Sequence, residues 1–598
     1  MLKYGYGGRI LRIDLTNRQF SVEDSDSKWF RDVIGGRAAN TKRLLEEIDP
    51  GCDALGPDNI LIFGIGPLTG TFLTASAYFT VTAKSPLTGI LGDSAAGGQF
   101  AAEMKLTGFD QIIIKGRSEK PVYLMITGSG VEFSDASHLV GKNIISTTEI
   151  IRTEKRDPAI QVAAIGKAGE NRVLFASLVS SGNRLCGRTG MGAVMGSKNV
   201  KALAVRGSRT VQYADPLAFE KECRRMKTAI SKHEEYNKRH ELGTTMLMND
   251  LNNIGILPTR HFQEGVCDYI DDISGEELAD VYKVKNKSCF NCNLHCSRYY
   301  YNEKVEAEGP EFETLCGFTS RIGNCDLSFA LEMNYHLNQL GLDSISTCEV
   351  IGWLMECQEK GLIIPEDIDG YKITWGENDK VKELVNMIAC REGIGNMLAE
   401  GATKFSKQFC ENSQKLVMQV KGLDIICGDP RGIKAYGLSY SVSSRGADHL
   451  RAEPYFELTK KWHLAKKRYG TSKAADRLSE EGKARLVRHT EKIALLTDCL
   501  TMCKNIGLCM DVLDFQKAAN ILKYATGIKY TPHSIEKYLG MSVERDRMLN
   551  KKFGLKKDSD TLPERFLKEP LKKGPSKGSV VDIQKMVDEY YGLNNTKM

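Results

Sequence analysis

Three thiols within eight residues, Cys289-Phe-Asn-Cys292-Asn-Leu-His-Cys296, constrain this chain more than any other feature, because they require the backbone to bring soft ligands to one point. A further cysteine lies far downstream, in Asp498-Cys-Leu-Thr-Met-Cys503-Lys504. Closely spaced thiolates suit a soft metal centre. Three local ligands with one distant ligand suit a cubane iron–sulfur cluster, which makes electron transfer the leading reading. Zinc also accepts four thiolates, or three with an imidazole, and His295 lies inside the run. Packing is the third reading, since free cysteines are often buried as small hydrophobes.

The 598 residues allow two to four domains, and acids and bases are mixed around a net charge of +6. No basic stripe suggests nucleic acid; a mildly basic surface suits an acidic electron carrier. The 17 cysteines are odd in number and irregularly spread, which fits a reducing compartment better than a secreted disulfide scaffold. The start lacks an apolar signal region, and no stretch approaches the roughly 18 apolar residues of a membrane span. The expectation is a cytoplasmic protein.

The first two hundred or so residues read as strands. Arg9–Leu15 alternates in period two, and Gln111–Gly116, Val122–Gly128 and Ala202–Gly207 follow, with glycine dense between them. After Tyr213-Ala-Asp-Pro216 the pattern turns helical, with Leu327, Leu331, Leu337 and Leu340 at helical spacing. Helices dominate again from about residue 455, and the end reads as an extended strap closing in a short helix. No tandem repeat of fixed period is evident. The expected fold is a multidomain α+β chain: residues 1–208 β-rich, 209–420 helical with Cys289, Cys292 and Cys296, and 421–598 helical with His449 and Cys503.

Several stretches, in order and spacing, resemble the tungsten-containing aldehyde ferredoxin oxidoreductase family over nearly the whole chain. They are Gly35-Gly-Arg37, Gly66–Thr71, Lys84–Gly89, Gly192–Asn199, Leu257–Arg260, Leu340–Ser346, Arg445–Arg451 and Leu562–Phe566. The resemblance implies tungsten, or molybdenum, held by two pyranopterins on the β-rich base, with a [4Fe–4S] cluster nearby and magnesium between the pterin phosphates. It implies Cys289, Cys292, Cys296 and Cys503 as cluster ligands. Cys509 imitates the fourth position, but Asp498 and Lys504 favour Cys503. Gly97, Arg184, Leu185, Cys186, Gly187, Arg188, Asn338, Leu342, Asp343, Arg451 and Asp498 would hold the cofactor. Guanidinium there suits phosphate, and Asp343 can also cap the helix that follows.

The same resemblance makes His449 the active-site imidazole and Glu313 the general base, with Glu311 second. If their segment is extended, the two carboxylates share a side. Tyr78 and Ala95 depart from the pattern, where Arg and Asn are usual. His261 and Cys316 are similar to features of the benzoyl-CoA reductase branch, in which a cysteine ligates tungsten. Glu332 and His336 share a helix face, which reads as solvated. The implied activity is oxidation of an aldehyde, with electrons passed to ferredoxin or a dedicated iron–sulfur subunit. The alternative is reduction of an acyl-CoA or aromatic thioester; a zinc-stabilised binding protein is a third reading. Homodimer and hetero-complex both stay open.

Overall fold

The computed structural model describes residues 2–593. The N-terminal region builds two six-stranded sheets. The first comprises β1 (Arg9–Asp14), β2 (Gln19–Asp24), β3 (Leu61–Gly64), β4 (Phe79–Lys84), β5 (Leu91–Ala96) and β6 (Phe109–Lys115). The second comprises β7 (Val122–Thr127), β8 (Gly130–Asp135), β9 (Gln161–Ile165), β10 (Leu178–Ser180), β11 (Arg184–Cys186) and β12 (Val200–Val205). Their strand orders are β2-β1-β6-β3-β4-β5 and β8-β7-β12-β9-β10-β11, the same topology used twice. In each, the single parallel pair joins the first strand to the last, β1 with β6 and β7 with β12.

No repeat of residues marks this duplication in the sequence. Gly97–Gly116 and Arg188–Gly207 each run turn, helix, strand, yet they share mainly small residues and a hydrophobic pattern, too little to show a period. Strand alternation explains the layering. Val122, Leu124 and Ile126 of β7 face a shared core with Phe63, Phe79 and Phe100 of the first half. Tyr123 and Met125 point the other way, against Ile144 and Ile151 of helix Ile144–Lys155. Truncating Phe79, which has no exposed surface, would cost about 3–5 kcal/mol.

The outer face of the first sheet packs on helices from the far end of the chain. Ile62 and Ile113 share a core with Leu495, Leu496 and Leu539, so helices Lys483–Leu500 and Pro532–Lys552 close over the base. Helix Leu327–Leu340, capped by Asp326, ends at Gly341 in a left-handed conformation (φ 71°), which glycine adopts without strain. Helix Lys483–Leu500 ends the same way at Thr501 (φ 55°), where a β-branched residue is strained. The two ends deliver Asp343 and Asp498 to the base.

The cysteine run is a connection between strands, packed against helix Pro216–Ser231 through Asn293. It connects β13 (Lys283–Lys287) to β14 (Ser297–Tyr301), which pairs with β15 (Glu306–Glu308) in a small antiparallel sheet. Tyr299, Tyr300 and Tyr301 are strong strand formers inside a region that otherwise reads as helical. The strap ends in helix Ile583–Gly592, and no described helix is long and apolar enough to cross a membrane.

Candidate active site

A cavity of about 410 Å³ opens where the duplicated base, the small sheet and the C-terminal helices meet. Its wall includes Cys289, Cys292, Cys296 and Cys503, four thiols from two distant parts of the chain. Each is half-buried. Burial raises the pKa of Cys292 to about 12, with Cys503 next in effect, and raises Cys503 with Cys289 next. Cys296 is raised by burial and then by Glu311 and the other three thiols. Four groups that oppose one another's ionisation call for a positively charged partner. Four thiols lining one cavity are the donor set that a [4Fe–4S] cubane takes.

Cys509 lines the same cavity, with its Sγ 4.0 Å from Glu453 Oε1. Over the thiol group stands Tyr78, whose hydroxyl donates to Cys503 Sγ at 3.7 Å. Gly97 closes the gap between base and thiols: a Cβ there would lie 2.7 Å from Cys289 Sγ and 3.2 Å from the Tyr78 ring. Only glycine lets β5 approach so closely.

Beside the thiols lies a charged cradle built by both halves of the base. Arg188 Nε lies 3.6 Å from Asp343 Oδ2, and Arg184 pairs with Glu308. Asp498 Oδ2 accepts from Arg37 Nε at 3.0 Å and Arg451 Nη1 at 3.2 Å. Against the effect of burial, Lys504, Arg37 and Arg451 hold the Asp498 carboxylate below its ordinary value. Burial and the neighbouring Arg37 lower Arg451 to about 9, so an anion placed there would be strongly favoured. Asp93 Oδ2, Asn183 Oδ1, Arg188 Nε and Nη1, Arg451 Nε and His449 Nδ1 are buried with no hydrogen-bond partner. Orphaned polar atoms facing one cavity are costly unless a ligand satisfies them. Donors and acceptors mixed in this way fit a phosphate-bearing heterocycle such as a pyranopterin.

Asn338, Leu185 and Gly187 complete this wall. Leu342 and Cys186 lie behind it: Leu342 bridges Ala176, and Cys186 pairs with Leu178 in the sheet. Two separate features then define the reactive end. The acidic segment is not extended past Glu311. Glu311 is the N-cap residue of helix Phe312–Gly317, so the two carboxylates part. Glu311 accepts from Thr244 Oγ1 at 2.5 Å, whereas Glu313 turns inward and accepts from the Cys427 amide at 2.7 Å. Burial, then Cys427, push the Glu313 carboxyl well above the usual carboxylate range. His449 lines the cavity with Nδ1 3.6 Å from Asp448 Oδ1 and Nε2 4.0 Å from Glu453 Oε2.

His261 and Cys316 are not in the wall. His261 is fully buried between Glu356 (Nδ1, 2.7 Å) and Glu349 (Nε2, 3.1 Å), which also bind Arg565 and Arg321. Cys316 sits behind Glu313, its Sγ 3.4 Å from Ser320 Oγ and its thiol directed at Cys427. The face carrying Glu332 and His336 is less solvated than its spacing suggests: Glu332 is buried and pairs with Lys304 and Lys382, and half-buried His336 has Nε2 2.7 Å from Asn386 Oδ1. Glu453, Tyr436 (whose hydroxyl donates to Glu453 at 2.8 Å) and Cys427 line the cavity without having been singled out. Their only signal is proximity to His449 and Glu313 in three dimensions.

Comparison with known proteins resolves the ancestry. Residues 10–207 match the aldehyde ferredoxin oxidoreductase N-terminal domain, and residues 221–596 match domains 2 and 3 of the same enzyme. The chain belongs to the aldehyde ferredoxin oxidoreductase family. It is 35% identical to the tungsten-containing aldehyde ferredoxin oxidoreductase of Pyrococcus furiosus, over 99% of this chain and 96% of that protein. The Pyrococcus abyssi protein of the same description is 36% identical over the same shares. A Pyrococcus furiosus aliphatic sulfonate oxidoreductase, WOR-like subunit, is 27% identical over 98% and 94%. Among solved structures, the active site complex of benzoyl coenzyme A reductase with 1,5-dienoyl-CoA superposes with a TM-score of 0.86. It is 24% identical and covers 100% of this chain and 95% of that one. The duplicated base and the covering helices are thus the architecture of the aldehyde ferredoxin oxidoreductase family.

Proposed function

We propose that this chain is a tungstopterin and iron–sulfur oxidoreductase that converts an aldehyde to a carboxylic acid and delivers the electrons to ferredoxin or a partner iron–sulfur subunit. The observation that carries the reading is one cavity in which four thiols, a cradle of orphaned arginine and aspartate atoms, and Glu313 with its raised pKa converge. Full-length identity to tungsten-containing aldehyde ferredoxin oxidoreductases supports it.

Cys289, Cys292, Cys296 and Cys503 would hold a [4Fe–4S] cluster. Arg184, Arg188 and Arg451 would take the pterin phosphates, and Asp343 and Asp498 the pterin N–H groups. When bound, the tungsten centre supplies a two-electron acceptor and the cluster a one-electron relay. The chain's own residues govern the protons. Conversion of an aldehyde and water to an acid releases protons that Glu313 is placed to receive once its own proton is lost, and its position beside the Cys427 amide fixes the carboxyl. His449, with a free Nδ1 and Glu453 beyond its Nε2, can orient a carbonyl oxygen and pass a proton outward to Glu453. Burial of the cavity under the C-terminal helices limits bulk water, which strengthens each of these contacts.

Thioester reduction is the second reading, since the benzoyl coenzyme A reductase complex shares the fold. Placement of Cys316 and His261 behind the wall weighs toward the aldehyde. Anaerobic assays with viologen dyes separate the two. Dye reduction by simple aldehydes supports the proposal; reduction of an aromatic acyl-CoA by reduced dye, without aldehyde activity, would replace it.

A further inference from the structure

The cysteine run reaches the surface, since Asn291 and His295 within it are exposed. Around it the surface has an unusual make-up. Phe72 is 63% exposed, and its carbonyl accepts from Asn291 Nδ2 at 2.9 Å, so a large apolar ring stands at the edge of the run. Its inner side leans on Tyr213, with ring centroids 5.7 Å apart, which holds it outward. On the second side, β13 is an edge strand leading straight to Cys289. It carries exposed Lys285 and Lys287, each 5.3 Å from the Tyr299 ring centroid. On the third side, Asn293 Nδ2 donates to the Lys227 carbonyl at 3.3 Å, fixing exposed Lys227 of helix Pro216–Ser231 beside the run.

These three lysines have no ion pair among the described residues, whereas Arg224 and Arg225 on the same helix are neutralised by Glu220 and Glu222. An exposed aromatic and three unpaired cations on the elements that flank the cysteine run are the surface that an acidic electron carrier would meet. Resting on the function proposed above, we propose that Phe72, Lys227, Lys285 and Lys287 form the docking face for a small acidic iron–sulfur protein that takes electrons through the Asn291–His295 tip. The lysines steer encounter, and Phe72 supplies the desolvated anchor.

The test uses anaerobically purified, metal-replete holoenzyme and a purified ferredoxin of net negative charge, with methyl viologen as a small acceptor. Charge reversal of the three lysines (K227E, K285E, K287E) should raise KM for ferredoxin at least tenfold and flatten its salt dependence, with viologen turnover unchanged. F72S should raise KM without changing the salt dependence. If both variants keep wild-type ferredoxin KM, the face is wrong. If wild type reduces neither acceptor with aldehyde, the function proposed above has failed instead. If viologen turnover falls in the triple variant along with ferredoxin, the lysines act on the centre itself and the docking assignment is overturned.

Discussion

Replacement of Glu313 by Gln probes the reactive end of the cavity most sharply. Gln keeps an oxygen to accept the Cys427 amide now 2.7 Å from the carboxylate, so the helix Phe312–Gly317 and the cavity wall should persist. What is lost is a proton acceptor. Positioned general bases contribute about 10²- to 10⁴-fold, which at about 1.4 kcal/mol per decade is roughly 3–5 kcal/mol of barrier. The pH profile carries the sign. Because burial and the Cys427 thiolate raise the Glu313 pKa, the base is available only above that raised value. Aldehyde oxidation by wild type should therefore climb with pH through a limb well above the ordinary carboxylate range, and E313Q should lose that limb. The assay is aldehyde-dependent viologen reduction under anaerobic conditions, with iron and tungsten content measured on each preparation. A variant with wild-type metals and more than a tenth of wild-type turnover would remove Glu313 from the reaction. A limb that survives in E313Q would assign it to another group.

Other expectations are equally concrete. Tyr78→Phe deletes the O–H donor to Cys503 Sγ, so the cluster's midpoint potential in an EPR-monitored titration should move lower at unchanged iron content; no shift would deny Tyr78 that role. Cys503→Ser should lose most cluster iron and Cys509→Ser should keep it, and the reverse pattern would exchange their assignments. His261→Ala should cost about 1–3 kcal/mol in anaerobic denaturation, because buried Glu349 and Glu356 each lose a partner while keeping Arg321 and Arg565. Burial lowers the His261 pKa, but Glu349 and Glu356 outweigh it and raise it. Its stabilisation is therefore complete below about pH 6.5 and fades as pH rises through the raised value, so the gap between variant and wild type should narrow at alkaline pH. A gap that widens would contradict the imidazolium reading.

Local pattern made much of this molecule readable. Period-two alternation in Arg9–Leu15 and Val122–Gly128 marks β1 and β7, and leucine spacing marks helix Leu327–Leu340, because those signals reside in adjacent residues. The thiol run, the Asp498–Cys503 segment, Asn338 and Asp343 point to one site, and the cavity includes members of each. Features that depend on distant packing were hidden. The repeated sheet topology survives with little residue identity, and the strands flanking the cysteines are short. Glu311 and Glu313 part because a helix begins at Phe312, between them, which i, i+2 spacing alone does not reveal. His261 is drawn away by Glu349 and Glu356, residues nearly a hundred positions on.

Elemental and pterin analysis of protein purified without oxygen tests the central claim most directly. The account predicts about four iron and about one tungsten per chain with about two pterins. Zinc alone, with neither iron nor pterin, would make the thiol group structural and contradict it.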